Sequence, residues 1–146
     1  MGLLSGLTRN PFLLTGLSSW LIAQVLKVLL HAALTGQLHW ERLFGDGGMP
    51  SGHSATVTAM ATTAALEYGL ASPIFAIAVV FGIIVMHDAM GVRREAGKHA
   101  KVLNDLIASL GKDAPPKDVL KEFLGHTPLQ VCFGALLGFG VALMLG

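Results

Sequence analysis

Charge is scarce in this chain. Of its 146 residues only 13% are Asp, Glu, Lys or Arg, about half the share of a typical soluble domain, against 53% hydrophobic residues. That balance argues against an ordinary soluble surface. The remaining soluble option, a buried helical hairpin, is a poor match to apolar segments as long as these. With a formal net charge of +1 there is no basic face for nucleic acid, because the cations are local and not spread along the chain. A second cysteine is also missing, so Cys132 forms no internal disulfide and the redox compartment stays open. Long repeats and low-complexity segments are absent. The N-terminus has no cluster of positive charge ahead of its apolar run, and Gln24, Lys27 and His31 interrupt that run. It reads as a first membrane helix and not as a cleaved signal.

Four stretches have the length and apolarity to cross a bilayer, for which roughly 20 mostly apolar residues suffice. They cover residues 12–34, 53–70, 74–90 and 129–145. Asn10-Pro11, Ser72-Pro73 and Thr127-Pro128 each set a capping side chain before a proline suited to the first helical position, which predicts helix starts near 11, 73 and 128. The second stretch is rich in Ala and Thr, so it is expected inside the bundle and not against lipid. Small residues four apart, Ala55/Ala59/Thr63 and Gly134/Gly138/Ala142, allow close helix approach. The expected fold is an all-α integral membrane bundle in one domain, with about four transmembrane helices (11–34, 52–70, 73–90 and 128–145) and polar loops at 35–52 and 91–127. Short interfacial helices are expected in "KVLNDLIASLGK" and "PPKDVLKEFLG", where apolar residues recur at helical spacing.

The second and third helices are joined by few residues, so their other ends emerge together and the loops 35–52 and 91–127 share one side. "GGMPSGHSA" (47–55) then meets "HDAMGVRREAGKHAKVLN" (87–104). The first helix adds Gln24, Lys27 and His31 within a wedge of roughly 60°, beside Trp20. Lys27 has two readings, snorkelling to the interface or facing the bundle interior, and the polar stripe favours the interior. His31 has a bland reading as a hydrogen-bond partner of a neighbouring helix. His126 in "GHTP" is open between cap partner and substrate contact. Lys112, Lys117 and Lys121 read as a solvated or membrane-surface face.

Two histidines, two arginines, a lysine and a small-residue turn at a helix start suit a phosphate. Arginine forks and backbone N–H groups neutralise its oxygens, while one imidazole attacks phosphorus and the other protonates the leaving oxygen. The adjacent His87 and Asp88 do not make a trusted metal spacing, so no metal is expected.

Pro50-Ser51-Gly52-His53 resembles the second motif of the type 2 phosphatidic acid phosphatase superfamily, which includes lipid phosphate phosphatases and vanadium haloperoxidases. Arg93, followed six residues later by His99, is similar to its third motif. With "LKEFLGHTP", the three stretches resemble the short, divergent branch of that superfamily over most of the chain. The resemblance implies that His99 is the nucleophile forming a phosphohistidine and His53 the general acid. It implies that Arg93 holds phosphate oxygens with Ser51 and Gly52, and that Lys27 stands in for a first-motif lysine. Arg94 is a further phosphate-binding candidate, and the spacing to His99 predicts that Arg93→Lys impairs phosphate binding more than Arg94→Lys. No cofactor is implied.

The sequence also departs from the pattern. Val92 stands where the third motif has serine, no arginine-proline pair follows Lys27, and the aspartate expected four residues after the nucleophile falls on Leu103. Asp88, Glu95, Asn104 and Asp105 are the candidates for orienting His99. The expected activity is hydrolysis of a phospholipid or polyprenyl phosphate. The alternative is a catalytically silent membrane protein binding a lipid phosphate or a partner protein, and a soluble-type haloperoxidase is a distant third. Homo-oligomerisation is left open. Once Arg93, Arg94 and Lys98 are discounted as phosphate ligands, the motif side still carries Arg42, Lys101, Lys112, Lys117 and Lys121 against Arg9 opposite. The site is therefore expected to face the cytoplasm from the inner membrane.

Overall fold

A computed structural model describes residues 3–38, 40, 47–109, 120, 122 and 124–146. Arg42, Lys112, Lys117, Lys121 and most of the second expected interfacial helix lie outside the described residues. The described chain is helical: α1 (Leu3–Thr8), α2 (Pro11–Thr35), α3 (Gly52–Tyr68), α4 (Pro73–Met90), α5 (Val92–Ser109) and α6 (Pro128–Leu145).

The three proline-led starts fall where the sequence places them. Asn10 Oδ1 accepts from the N–H groups of Phe12 and Leu13, Ser72 Oγ from Phe75 N–H, and Thr127 Oγ1 from Gln130 N–H. In each case proline occupies a position whose N–H has no helical partner to lose.

Among the described residues, α2, the α4–α5 stretch Pro73–Ser109 and α6 are long and apolar enough to cross a membrane. The 17-residue α3 is not among them. It is the interior helix that its Ala and Thr content predicts. Against α2 it runs antiparallel: the hydroxyls of Thr15 and Thr63 meet at 2.8 Å, and the rings of Phe12 and Tyr68 lie 5.9 Å apart at the same end. Against α6 it runs parallel, with Gly134 facing Ser51 and Gly138 facing Ala55 so closely that an added Cβ would strike the carbonyl oxygens of those two residues. Ala59 and Ala142, one turn further on, are fully buried. The four-residue ladders of small residues thus form the α3–α6 seam, where backbone packing replaces large side chains.

The region expected as a loop from 91 onward begins as helix. Only Gly91, with φ −96° and ψ −94°, separates α4 from α5. Residues 92–109 hold a helix because a strongly amphipathic run of good helix formers follows that break. Leu120, Glu122, Leu124 and Gly125 lie back against α5. Asn104 Nδ2 donates to the Leu120 carbonyl and to Glu122 Oε1, and Asn104 Oδ1 accepts from Leu120 N–H. Gly125, at φ +79°, lies directly on the Arg93–Arg94 backbone, where a side chain has no room. His126 N–H then bonds the Ala89 carbonyl at 2.9 Å, which ties the start of α6 to the end of α4.

Candidate functional site

The starts of α3 and α6, the end of α4 and the later part of α2 meet at one end of the bundle. Ser51 N–H donates to the Gln130 carbonyl at 3.1 Å, holding the first turns of α3 and α6 together. Facing them, Lys27 is only 4% exposed and gives its Nζ hydrogen to Gln24 Oε1 at 2.6 Å. The polar wedge of α2 therefore points inward, and Gln24 also approaches Gly52 beside Trp20. The Lys27 stem packs on Gly48, whose φ of +97° and tight contact both require glycine. His31, half-buried, lies one turn beyond Lys27.

His126 is the centre of this end. It is 2% exposed, and its ring lies 5.8 Å from that of His53, edge to face. Its Nδ1 is 3.3 Å from Gln130 Oε1, which also accepts the Thr127 N–H at 3.0 Å. A backbone N–H can only donate, so Oε1 is the acceptor in both bonds and Nδ1 must carry hydrogen. The lone pair of the neutral ring is then on Nε2, which is buried and has no hydrogen-bond partner among the described residues. Burial lowers the His126 pKa from its ordinary value. The Gln130 bond opposes that effect, the nearby His53 and Lys27 add to it, and the Gly48 carbonyl weakly opposes it. The net depression favours the neutral ring, whose Nε2 is sealed from solvent in this structure.

A cavity of about 450 Å³ opens beside this imidazole. Gly47 and Gly48 form one wall and the 122–130 return another, while α5 contributes Arg94, Gly97, Lys98 and Lys101. Three cations against Glu122 make it an anion-attracting space. At its rim Lys98 pairs with Glu95 at 2.6 Å.

The residues singled out by sequence divide into two groups. Lys27, Gly52, His53 and Arg94 gather at this end, and of these Arg94 alone lines the cavity. Ser51 sits there too, fully buried in the α3–α6 seam, where its Oγ caps α3 by accepting from Ser54 N–H and Ser54 Oγ–H. Arg93 points its Nε to Asp88 at 2.8 Å across the α4–α5 break and is not part of the cavity lining. His99 is exposed, about 140° around α5 from Arg94, and is also absent from the lining. Asn104 anchors the return segment, and Asp105 is exposed. The cap reading of His126 is visible in the Gln130 Oε1 that it shares with Thr127 N–H, and the ring also lines the cavity. Gln130 and Gly48 went unmarked in the sequence, and Lys101 was read only as a motif-side charge. A usable signal was present: Gln130 follows His126 by four residues, the separation expected between nucleophile and aspartate. No group of acidic, His or Cys side chains able to hold a metal occurs among the described residues.

Comparison with known proteins places the chain in a family. The profile of the divergent PAP2 family matches residues 8–141. The chain is 43% identical over 151 residues to a Bacillus subtilis (strain 168) protein named "Uncharacterized membrane protein YuiD", with 95% of each chain covered. No solved structure matches. A helical membrane protein whose PSGH turn meets the buried His126, matched by that profile over nearly its whole length, belongs to the divergent PAP2 family.

Proposed function

We propose that this protein hydrolyses a lipid phosphate, a phospholipid or polyprenyl phosphate, through a phosphohistidine on His126. The observation that carries the reading is His126, buried with no hydrogen-bond partner on Nε2, its ring 5.8 Å from that of His53 and lining a cationic cavity. In the first step Nε2 attacks phosphorus as the bond to the lipid alkoxide breaks, and protonated His53 gives its proton to the leaving oxygen. In the second, water attacks the phosphohistidine, the P–N bond breaks and His53 recovers a proton. Arg94 and Lys101 balance the charge on the phosphoryl oxygens, and Lys27 adds a buried positive charge behind Gly48. Gln130 is a positioning residue that holds the tautomer, as an amide does in Cys-His-Asn hydrolases. In this reading α3 crosses the membrane with the three longer spans.

The test is phosphate release from a panel of lipid phosphates by the purified protein. Silent lipid-phosphate binding is the second reading, favoured by Gln130: an amide stabilises an imidazolium less than a carboxylate does. Vanadate binding without release from any lipid establishes that second reading.

The arginines should separate in the order opposite to their spacing from His99. Arg94→Lys is expected to weaken vanadate inhibition by about tenfold, the size of effect a lost bidentate contact produces, and Arg93→Lys by less than about twofold. Equal effects count against the assignment of Arg94.

The excess of lysine and arginine on the motif side supports a cytoplasm-facing site. A cysteine at exposed Ser109, with Cys132 replaced, should resist an impermeant maleimide in sealed cells and label once the membrane is opened. Ready labelling in sealed cells reverses the orientation.

A further inference from the structure

α5 has three distinct edges. Gly97 and Asn104 pack on the return segment with Ala100 buried beside them, and Arg94, Lys98 and Lys101 line the cavity. The third edge is left open to solvent among the described residues: Val92, Leu103 and Leu106 fall within about 60° of one another and are 70%, 47% and 55% exposed. His99 lies in the same arc.

Its position suggests what covers that edge. α5 starts two residues after α4 ends, so its first turn is at the level where an apolar span leaves the hydrocarbon. It does not continue outward. Residues 94–101 share one cavity with His126 and Gln130 at the start of α6, so the helix crosses the end of the bundle. A helix at that level, apolar on one edge and basic on another, matches an interfacial helix sunk into the headgroup boundary. Its three cations complement anionic headgroups.

We infer that α5 is a membrane-surface helix whose Val92–Leu103–Leu106 edge is covered by the lipid bilayer, and whose basic edge draws anionic headgroups toward the His126 cavity. A lipid phosphate then enters sideways from the bilayer, with its chains remaining among lipid. The entry route rests on the proposed phosphatase reading, while the placement of α5 does not.

The full-length protein, with Cys132 replaced by serine, is reconstituted in vesicles of equal phosphatidylglycerol and phosphatidylcholine. An environment-sensitive fluorophore is attached at Leu106→Cys, or at Leu103→Cys as a second reporter of that edge, and at Asp105→Cys as the exposed comparison. Brominated acyl chains should quench the 103 and 106 probes at least threefold more than the 105 probe, and aqueous iodide should do the reverse. Equal iodide quenching at 105 and 106 overturns the inference, as does protection of 106 from both quenchers, which means that protein covers the edge.

The entry route has its own measurement. Leu103→Glu with Leu106→Glu should lower hydrolysis of a bilayer-embedded lipid phosphate at least tenfold and leave a water-soluble aryl phosphate within twofold. Equal losses on both substrates overturn sideways entry. Absence of hydrolysis on every substrate removes the phosphatase reading, and the quenching result still decides where α5 lies.

Discussion

His126→Ala should lower phosphate release from a lipid phosphate by about 10⁶-fold, the scale on which loss of a nucleophile or its base acts in hydrolases whose residues work as a unit. His53→Ala should approach the same loss, because alkoxide departure then lacks a proton donor. His99→Ala should stay within about threefold of the parent, since that ring is exposed on the edge of α5 away from the cavity. Rapid acid-free quenching with radiolabelled substrate adds a direct readout: the label should be found on His126 as an acid-labile phosphoramidate. Gln130 supplies a finer measurement. Gln130→Leu removes the acceptor that fixes the His126 tautomer and should reduce kcat by about 10²-fold with KM little changed, whereas Gln130→Glu restores an acceptor and should retain turnover. A protein inactivated by His99→Ala and unaffected by His126→Ala returns the nucleophile to His99.

The largest effect on stability is expected at Gly138. A Cβ there meets the carbonyl oxygen and carbon of Ala55, both backbone atoms of a helix that cannot shift without parting the α3–α6 seam. Gly138→Val should cost about 3 kcal/mol or more, above the ordinary range for overpacking because the obstacle is backbone and not a movable side chain. Gly140, two residues on in the same helix, has open space where its Cβ would be. Gly140→Ala should therefore be neutral or stabilise by up to about 1 kcal/mol through helix propensity. Thermal unfolding of the two variants in the same detergent checks the pair. Similar midpoints for Gly138→Val and the parent protein remove the seam from the account.

Loss of the Gly138 variant also has a functional reading. The seam sets the distance between the first turns of α3 and α6, and hence between His53 and His126. Residual folded protein should thus bind vanadate more weakly even where its helices persist.

The sequence by itself determined the features that depend on neighbours along the chain. A capping side chain followed by proline starts a helix whatever surrounds it, so Pro11, Pro73 and Pro128 were readable as first residues. Spacing on one helix also survives any tertiary arrangement, which is why the inward stripe of Gln24 and Lys27 and the small-residue ladders of α3 and α6 could be seen in advance. Which histidine would meet His53 was a different kind of question. His99 and His126 both follow the PSGH turn and both belong to family-like stretches, and the arginine spacing singles out His99. The choice depends on the rotation of α5 and on the path of the chain back to α6. Those are set by Gly97 and Gly125 admitting backbone contact, by Asn104 holding the return segment, and by His126 N–H reaching Ala89. Each of these joins residues distant in sequence, and a turn of about 100° per residue is enough to send His99 outward while Arg94 faces in. Only the packed structure decided that, because long-range contacts and helix phase, not local spacing, select which side chain is buried beside which.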